Sequence, residues 1–241
     1  MSLIAQMAMS GARDTMLAQA VNTHNLANAS TPGFRADLVR FSEEAQSAES
    51  QQRVFNGVDF EPGILKGTNR ALDVAVNGEG WIAVRAPDGG EAYTRRGDLN
   101  VDSVGRLKNG AGLEILGNGG APITLPPAAE TTIGTDGTIT VRGIGQSPNA
   151  LATVDRIRLV TVDHDQLLKG PDGLLRLPEG VEAQADAQIM LLSGTLESSN
   201  VNPIEAMVRM IDLARKFESQ IKMIQTEEEN DQSMTSLLRI S

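Results

Sequence analysis

The chain has 241 residues, enough for one large domain or two small ones. Apolar residues make up 40% of it but aromatic residues only 3%, so we expect an aliphatic core. A formal net charge of −10 argues against the basic surface that nucleic-acid-binding proteins need. The chain has no cysteine, which excludes disulfides, thiolate metal sites and cysteine nucleophiles.

The distribution of glycine and proline separates the two ends of the chain from its middle. All but two of the 24 glycines and all but two of the ten prolines lie between Gly57 and Gly194. The ends therefore permit long helices and the middle does not. We predict an N-terminal assembly helix in residues 1–35, a linker region in 36–70, a central β domain in 71–196 and a C-terminal assembly helix in 197–241.

The N-terminal helix is predicted over Leu3–Ala29. Apolar residues recur there at spacings of three and four but form a narrow stripe, so the helix must gain burial from a partner. The stripe consists of Leu3, Ile4, Met7, Gly11, Met16, Ala18, Val21 and Leu26. Thr31-Pro32-Gly33 ends the helix, because proline disfavours helix at the residue before it and glycine permits a turn.

The C-terminal helix has a clear start signal. Asn202 can act as the N-cap, Pro203 suits the first helical position, and Glu205 completes a pattern similar to a capping box. No glycine or proline follows from Ile204 to Leu238, which predicts a helix roughly 50 Å long. A helix of that length is typical of coiled coils and assembly elements. Its apolar seam is formed by Met207, Ile211, Ala214, Ile221 and Ile224.

The middle of the chain is predicted to consist of short strands. Asn-Gly and Asp-Gly pairs recur and favour the positive φ angles of tight hairpins; they start at Asn56, Asn77, Asp88, Asn109, Asn118, Asp136 and Asp172. Alternating runs between them predict strands at Leu72–Val76, Trp81–Arg85, Thr138–Arg142 and Ile157–Val162. Strands this short and regular predict an antiparallel β domain.

A search for catalytic, cofactor and metal sites finds only incomplete motifs. Gly78-Glu79-Gly80 precedes a strand-like run and not a helix, so it does not fit a dinucleotide site. Asp98–Asp102 begins like a calcium loop but lacks the later glycine and glutamate. His24 has no second histidine or acid nearby in sequence, and His164, between Asp163 and Asp165, is expected in a surface loop. We therefore predict no catalytic residue, no cofactor and no metal, although 31 acidic residues leave a pair of catalytic carboxylates open.

Three asparagines recur near the end of the first helix, at Asn22, Asn25 and Asn28. Asparagine is a mediocre helix former, so its repetition needs an explanation. One explanation is a helix end, where asparagine can cap or enter the left-handed region. The other is a set of side-chain amides that bridge neighbouring helices in an assembly, and the sequence favours neither.

Two terminal motifs and the middle of the chain resemble the flagellar rod and hook proteins, a family of bacterial axial proteins. The segment Asn25–Phe34 reads NLANASTPGF and resembles the family's N-terminal signature. The segment Glu197–Asn202 reads ESSNVN and resembles the motif that precedes the family's C-terminal helix. Leu72–Trp81 and Ala92–Gly97 also resemble the family, so the likeness spans nearly the whole chain. Within it, the chain is more similar to proximal than to distal rod subunits.

The resemblance implies a structural, non-enzymatic subunit of the basal-body rod that is important for motility. Family members look like type III export substrates, so no cleaved signal peptide is expected. Their N- and C-terminal helices pair as a coiled-coil-like stalk, which with the central antiparallel β domain makes the fold α+β. The implied partners are other rod proteins including the distal rod protein, like subunits in a helical assembly, and the export apparatus. No nucleic acid or small-molecule substrate is expected.

The seam residues and the motif asparagines are the candidate assembly residues. They are Ile4, Met7, Val21, Asn25, Leu26, Asn28, Asn200, Asn202, Met207, Ile211, Ile221 and Ile224. Three other functions stay open at this point. They are a distal rod subunit of the same family, a secreted module that binds a partner through its β domain, and a carbohydrate-active enzyme that uses two acids.

Overall fold

The computed structural model describes residues 3–41, 54–147, 150–170, 172–178, 180–181 and 183–238. Two helices lie at the ends, α1 (Leu3–Ala27) and α2 (Pro203–Leu238). Both match their predicted segments closely, since Pro203 occupies the first helical position and α1 ends before Thr31. The α+β prediction, with terminal helices and a central antiparallel β region, is confirmed.

The described strands in chain order are β1 (Asp37–Phe41), β2 (Val54–Val58), β3 (Leu65–Gly67), β4 (Val74–Asn77), β5 (Trp81–Arg85), β6 (Glu91–Thr94), β7 (Leu99–Val101), β8 (Leu107–Asn109), β9 (Glu114–Ile115), β10 (Ala128–Ile133), β11 (Thr138–Gly143), β12 (Leu151–Arg156), β13 (Leu159–Val160), β14 (Leu168–Lys169), β15 (Leu175–Arg176), β16 (Met190–Ser193) and β17 (Thr195–Glu197). The four predicted strands correspond to β4, β5, β11 and β13. The predicted linker contains β1, β2 and β3, and its residues 42–53 lie outside the described part of the chain.

The chain divides into two units. The first comprises Met1–Ala29, Asp37–Asp59 and Val201–Ser241, and the second comprises Ser30–Ala36 and Phe60–Asn200. The first unit contains both helices and the antiparallel pair β1–β2. The second unit contains the remaining strands together with a short 3-10 helix at His164–Gln166.

The second unit is built from antiparallel sheets. The largest described sheet has the order β14–β15–β6–β5–β9–β8–β7, with β13 also paired to β5. A second sheet has the order β10–β11–β12, and the pairs β16–β4 and β17–β3 complete the set. Each of these strands is too short to be stable alone, so sheet formation depends on a shared core.

The core of the second unit is aliphatic, as the composition predicts. Ile82, Leu99, Leu107, Ile115 and Ile139 are fully buried in one continuous cluster. Burial of each such side chain stabilises the fold by about 1.5–3 kcal/mol. This core forms within the second unit alone, so the β structure does not depend on α1 or α2 for its main cluster of buried residues.

The positive φ predicted for the glycine of each Asn-Gly or Asp-Gly pair is found at four of the seven positions, Gly78, Gly89, Gly137 and Gly173. Gly137 has φ +84 between β10 and β11, as the Asp136-Gly137 pair predicts. The Asn56-Gly57 prediction is wrong, because both residues lie within β2 and pair with Val39 and Leu38 of β1. The backbone pairing of β2 with β1 stabilises the extended conformation more than the local preference of Asn56-Gly57 stabilises a turn.

Candidate assembly site

The inner face of the helix pair is lined by small and polar residues. Ala8, Ala12, Thr15 and Asn22 are buried and recur at helical spacings along α1. The Thr15 hydroxyl donates to Gln220 Oε1 at 3.0 Å, and Asn22 Nδ2 donates to the Ala206 carbonyl at 2.7 Å. Thr15 of α1 contacts Gln220 of α2, whereas the later residue Asn22 contacts the earlier residue Ala206. The two helices therefore run antiparallel. Small side chains let them approach closely.

The outer face of α2 carries an exposed apolar row. Ile204, Met207, Val208 and Ile211 recur at spacings of three and four, and each is more than half exposed, from 53% to 73%. At 100° per residue, Ile211 lies about 180° around the helix from Gln220, which contacts α1. The row therefore faces away from α1. We refer to these four residues as the outer row.

Helix α1 also exposes large apolar side chains. Ile4, Met7 and Met16 are 56%, 68% and 59% exposed. Val21 and Leu26, nearer its end, are half-buried, as are Ile221 and Ile224 on α2. The structure thus places the predicted assembly residues in two groups, with Ile4, Met7, Met207 and Ile211 open to solvent and the other four apolar residues partly covered.

The three asparagines of α1 have three different roles. Asn22 bridges to α2 as described. Asn25 exchanges two hydrogen bonds with the backbone of Asp37, its Nδ2 donating to the carbonyl and its Oδ1 accepting from the amide, both at 2.8 Å. Asn28 Nδ2 donates to the His24 carbonyl at 3.0 Å and so closes the end of its own helix. The helix-end explanation therefore holds for Asn28, and Asn22 bridges to the other helix of its own chain; amide bridges between subunits stay a prediction.

The asparagines of the C-terminal motif also act on the backbone. Asn202 Oδ1 accepts from the amides of Ile204 and Glu205 at 3.1 and 3.4 Å, which confirms the predicted N-cap. In the second unit, Asn200 Oδ1 accepts from the Ala36 amide at 2.8 Å and its Nδ2 donates to the Glu61 carbonyl at 3.1 Å. Asn200 thus joins two separate segments of that unit.

A buried ion cluster in the second unit joins three of the sequence motifs. The Glu197 carboxylate lies 2.5 Å from Arg35 Nη1 and 3.3 Å from Arg95 Nη1, and all three side chains are at most 6% exposed. Its Oε1 also accepts from the Gly63 amide at 2.9 Å, and its carbonyl accepts from the Gly33 amide at 2.8 Å. We call Arg35, Arg95 and Glu197 the buried cluster.

Aromatic rings flank the buried cluster. The guanidinium groups of Arg95 and Arg35 lie 5.0 and 5.7 Å from the centre of the Trp81 ring, within the range of cation–π attraction. Phe60 stacks on His164 with ring centres 4.3 Å apart, and both meet Trp81 edge-on. Burial lowers the pKa of Arg95; Glu197 raises it and Arg35 lowers it further.

Sequence reasoning missed the buried cluster. Arg35 directly follows the N-terminal signature, Arg95 lies in the Ala92–Gly97 motif, and Glu197 opens the C-terminal motif. Their positions in three family-like motifs were the available signal, but pairing them requires the fold. Gly33 shows why the signature needs glycine, since its φ is +66 and a Cβ there would lie 2.3 Å from the carbonyl carbon of Arg95.

The motifs considered for metal binding take structural roles. Asp98 pairs with Arg96 and Asp102 with Lys108, at 2.8 and 2.9 Å. Among the described residues, no group of three or more His, Asp or Glu side chains converges on a point that could hold a metal ion. None of the described helices has the length and hydropathy needed to span a bilayer.

Comparison with known proteins gives family matches along most of the chain. Residues 6–35 match the family described as flagella basal body rod protein. Residues 75–141 match the flagellar hook protein FlgE/F/G D1 domain. Residues 192–237 match the flagellar basal body rod FlgEFG protein C-terminal family. The first and last matches cover nearly all of α1 and most of α2.

Full-length relatives agree with these matches. The flagellar basal-body rod proteins FlgF of Salmonella typhimurium and of Escherichia coli K12 are 42% and 41% identical, and each alignment covers 97% of both chains. The FlgF protein of Caulobacter vibrioides is 32% identical over 89% of both chains. A FlgG rod protein from Buchnera aphidicola is 28% identical.

The chain therefore belongs to the flagellar basal-body rod protein family and is a structural subunit of the flagellar basal body. Its relatives at 42% and 41% identity are FlgF proteins, and the FlgG relative is more distant, so the FlgF-like subunit predicted from sequence is confirmed.

Proposed function

We propose that the chain forms part of the proximal rod by polymerising through its terminal helices. The outer row on α2 is the observation that carries this proposal. Its four apolar side chains are more than half exposed and lie together on one side of the helix. An exposed apolar surface of this kind is typical of a protein–protein interface. Burial against a neighbouring subunit would remove that surface from water, with a gain of roughly 25 cal/mol for each Å² covered.

The two helices of one subunit act in this proposal as a coiled-coil-like stalk. The buried face of α1 holds them together, and the exposed apolar residues of both helices meet other subunits. Ile4, Met7, Met207 and Ile211 make the main contacts, and the half-buried Val21, Leu26, Ile221 and Ile224 complete them. Repetition of one such contact around an axis gives a helical tube, because a head-to-tail interface need not close.

The motif asparagines set the geometry of this interface indirectly. Asn202 fixes where α2 begins, and Asn25 and Asn28 fix where α1 ends and how the chain leaves it. Asn200 holds Ala36 against Glu61 in the second unit. In this proposal Asn25, Asn28 and Asn202 therefore position the helices that carry the apolar contacts, and Asn200 acts within the second unit.

The partners in this proposal are like subunits and the other rod proteins, including the distal rod protein that continues the shaft. Relatives named as basal-body rod proteins and the match to a hook-protein domain support that choice. The subunit reaches its place through the export apparatus without a cleaved signal peptide. It works mechanically as part of the drive shaft for motility, with no catalytic activity.

The substitution Ile211→Asp tests the proposal. It places a charge at the C-terminal end of the outer row, where burial against a neighbour would be strongly unfavourable, and should abolish rod assembly and motility. Because Ile211 is 54% exposed, the free energy of unfolding of the purified variant should stay within about 0.5 kcal/mol of the wild-type value.

Ser219→Asp is the matched control, since it adds the same charge at an exposed position of α2 outside the outer row. This variant should assemble. Wild-type motility in a strain carrying Ile211→Asp would rule out the outer row as an assembly surface.

A further inference from the structure

A cavity in the second unit opens beside the buried cluster. Its volume is about 430 Å³, in the range of pockets that hold small ligands. Phe60, Pro62, Leu65 and Val76 supply apolar wall, and Arg35, Arg95 and Glu197 also line it. The exposed Glu79 contributes to the lining as well.

The buried residues that line this cavity carry a net positive charge. Both arginines and Glu197 are at least 94% buried, so two positive charges meet one negative charge among the buried lining residues. Arg95 Nη2 also donates a hydrogen bond to the Gly78 carbonyl at 2.8 Å. Burial of an excess guanidinium charge is unfavourable unless an anion approaches it.

Each arginine also keeps a donor without an acceptor. The Nε–H groups of Arg35 and Arg95 are buried, and neither has a hydrogen-bond partner among the described residues. Buried donors in native proteins are nearly always satisfied by protein, water or a ligand. Both donors belong to arginines that line one cavity, beside a surplus positive charge among its buried lining residues, and this combination favours an anion there.

We propose that this cavity binds a single carboxylate carried on a short aliphatic stem. A carboxylate matches the planar donor geometry of arginine and the single surplus charge. A doubly charged anion such as phosphate would be repelled by Glu197 and by Glu79. The apolar wall formed by Phe60, Pro62, Leu65 and Val76 would cover the stem.

Two sources could present this chemistry, a free small carboxylate or a glutamate side chain of a second copy of the chain. The chain has a net charge of −10, and Glu228 and Glu229 of α2 are exposed and follow Glu227 directly. The second source rests on the proposed function, because it requires subunits to assemble. The binding site itself does not.

The test is a titration of the dilute full-length chain followed by NMR. Trp81 is the single tryptophan of the chain, so its indole N–H gives one resonance that needs no further assignment. Because both guanidinium groups lie over the Trp81 ring, an anion bound to them should move this resonance. The probe is N-acetylglutamate α-amide, and its neutral counterpart N-acetylglutamine amide is the control ligand.

The carboxylate probe should give a saturable shift of the indole resonance and of the Gly63 and Gly78 amides, and the neutral amide should not. Glu79→Gln removes an acid from the lining and should tighten binding by roughly two- to fivefold, the range of exposed charge interactions. Glu130→Gln, which pairs with Arg142 away from the cavity lining, should leave binding unchanged. The absence of any shift, or equal responses to both ligands, would overturn the proposal.

A peptide of residues 224–230 then distinguishes the sources, compared with the same peptide in which glutamine replaces each glutamate. If the glutamate peptide binds at least tenfold tighter than the small probe and the glutamine peptide does not bind, the site is assigned to a second copy of the chain. Binding no tighter than the probe assigns it to a free carboxylate. Both outcomes support the site, and neither depends on rod assembly, which the Ile211→Asp experiment tests separately.

Discussion

Arg35 and Glu197 lie at opposite ends of the second unit's sequence, yet their side chains meet at 2.5 Å with at most 3% exposure. Arg35 follows the N-terminal signature, and Glu197 opens the motif that leads to α2. The contact holds both sequence ends of the second unit at one buried point, and Arg95 adds a motif from the middle of the chain. The family-like motifs therefore have a shared structural role.

Glu197→Gln should destabilise the second unit by about 3–5 kcal/mol, because it leaves two buried guanidinium groups without a countercharge. Chemical denaturation of the purified chain would measure the change. Glu130→Gln removes the partner of a more exposed pair, with Arg142, and should lose no more than about 1 kcal/mol. Equal losses in the two variants would show that the buried cluster is not a main stabilising contact.

Gly33→Ala should also be strongly destabilising, by about 2–4 kcal/mol. Gly33 has φ +66, which is unfavourable for alanine, and the added Cβ would overlap the peptide group between Arg95 and Arg96 at 2.3–2.5 Å. Gly67→Ala is the matched control, since no heavy atom lies within 4 Å of its Cβ position and its φ is not left-handed. Thermal unfolding of both variants checks this, and a Gly33→Ala protein as stable as the control would contradict the assigned backbone contact.

Tyr93 should titrate at unusually high pH. Burial, together with the charge and hydrogen bond of Glu91, raises the pKa of its phenol from 10.0 to about 12. Because the folded state favours the neutral phenol, its contribution to stability is full below pH 10.0 and is lost as pH rises toward about 12.

Ultraviolet absorbance of the phenolate measures this directly, since Tyr93 is the single tyrosine of the chain. Glu91→Gln should move the midpoint back toward 10.0, and the unfolded chain in denaturant should titrate there as well. A wild-type midpoint near 10.0 in the folded chain would contradict the burial of this side chain.

Local sequence signals predicted the helices well and the contacts between distant segments poorly. Asn202 and Pro203 define the start of α2 because capping and the fixed φ of proline act within one turn. The buried face of α1 was not predicted because Ala8, Ala12 and Thr15 carry little hydrophobic signal, and the predicted stripe was drawn instead through larger residues such as Ile4 and Met7. Their exposure became visible only with α2 in place.

The Asn56-Gly57 error and the unnoticed buried cluster have a common cause. A turn preference is local, and pairing with β1 outweighed it at this pair. Arg35, Arg95 and Glu197 are distant in sequence, and no local pattern shows that a charged side chain is buried. His164 was correctly expected at the surface, but its stacking on Phe60 again required the fold.

Thiol labelling of the outer row tests the assembly surface most directly. The chain has no cysteine, so Ile211→Cys introduces one unique thiol on α2, and Ser219→Cys provides a control outside the row. Both should react with a maleimide in the dilute subunit, because both positions are exposed. In isolated basal bodies the thiol of Ile211→Cys should be protected at least tenfold while that of Ser219→Cys still reacts. Equal and rapid labelling of Ile211→Cys in subunit and basal body would contradict assembly through this surface.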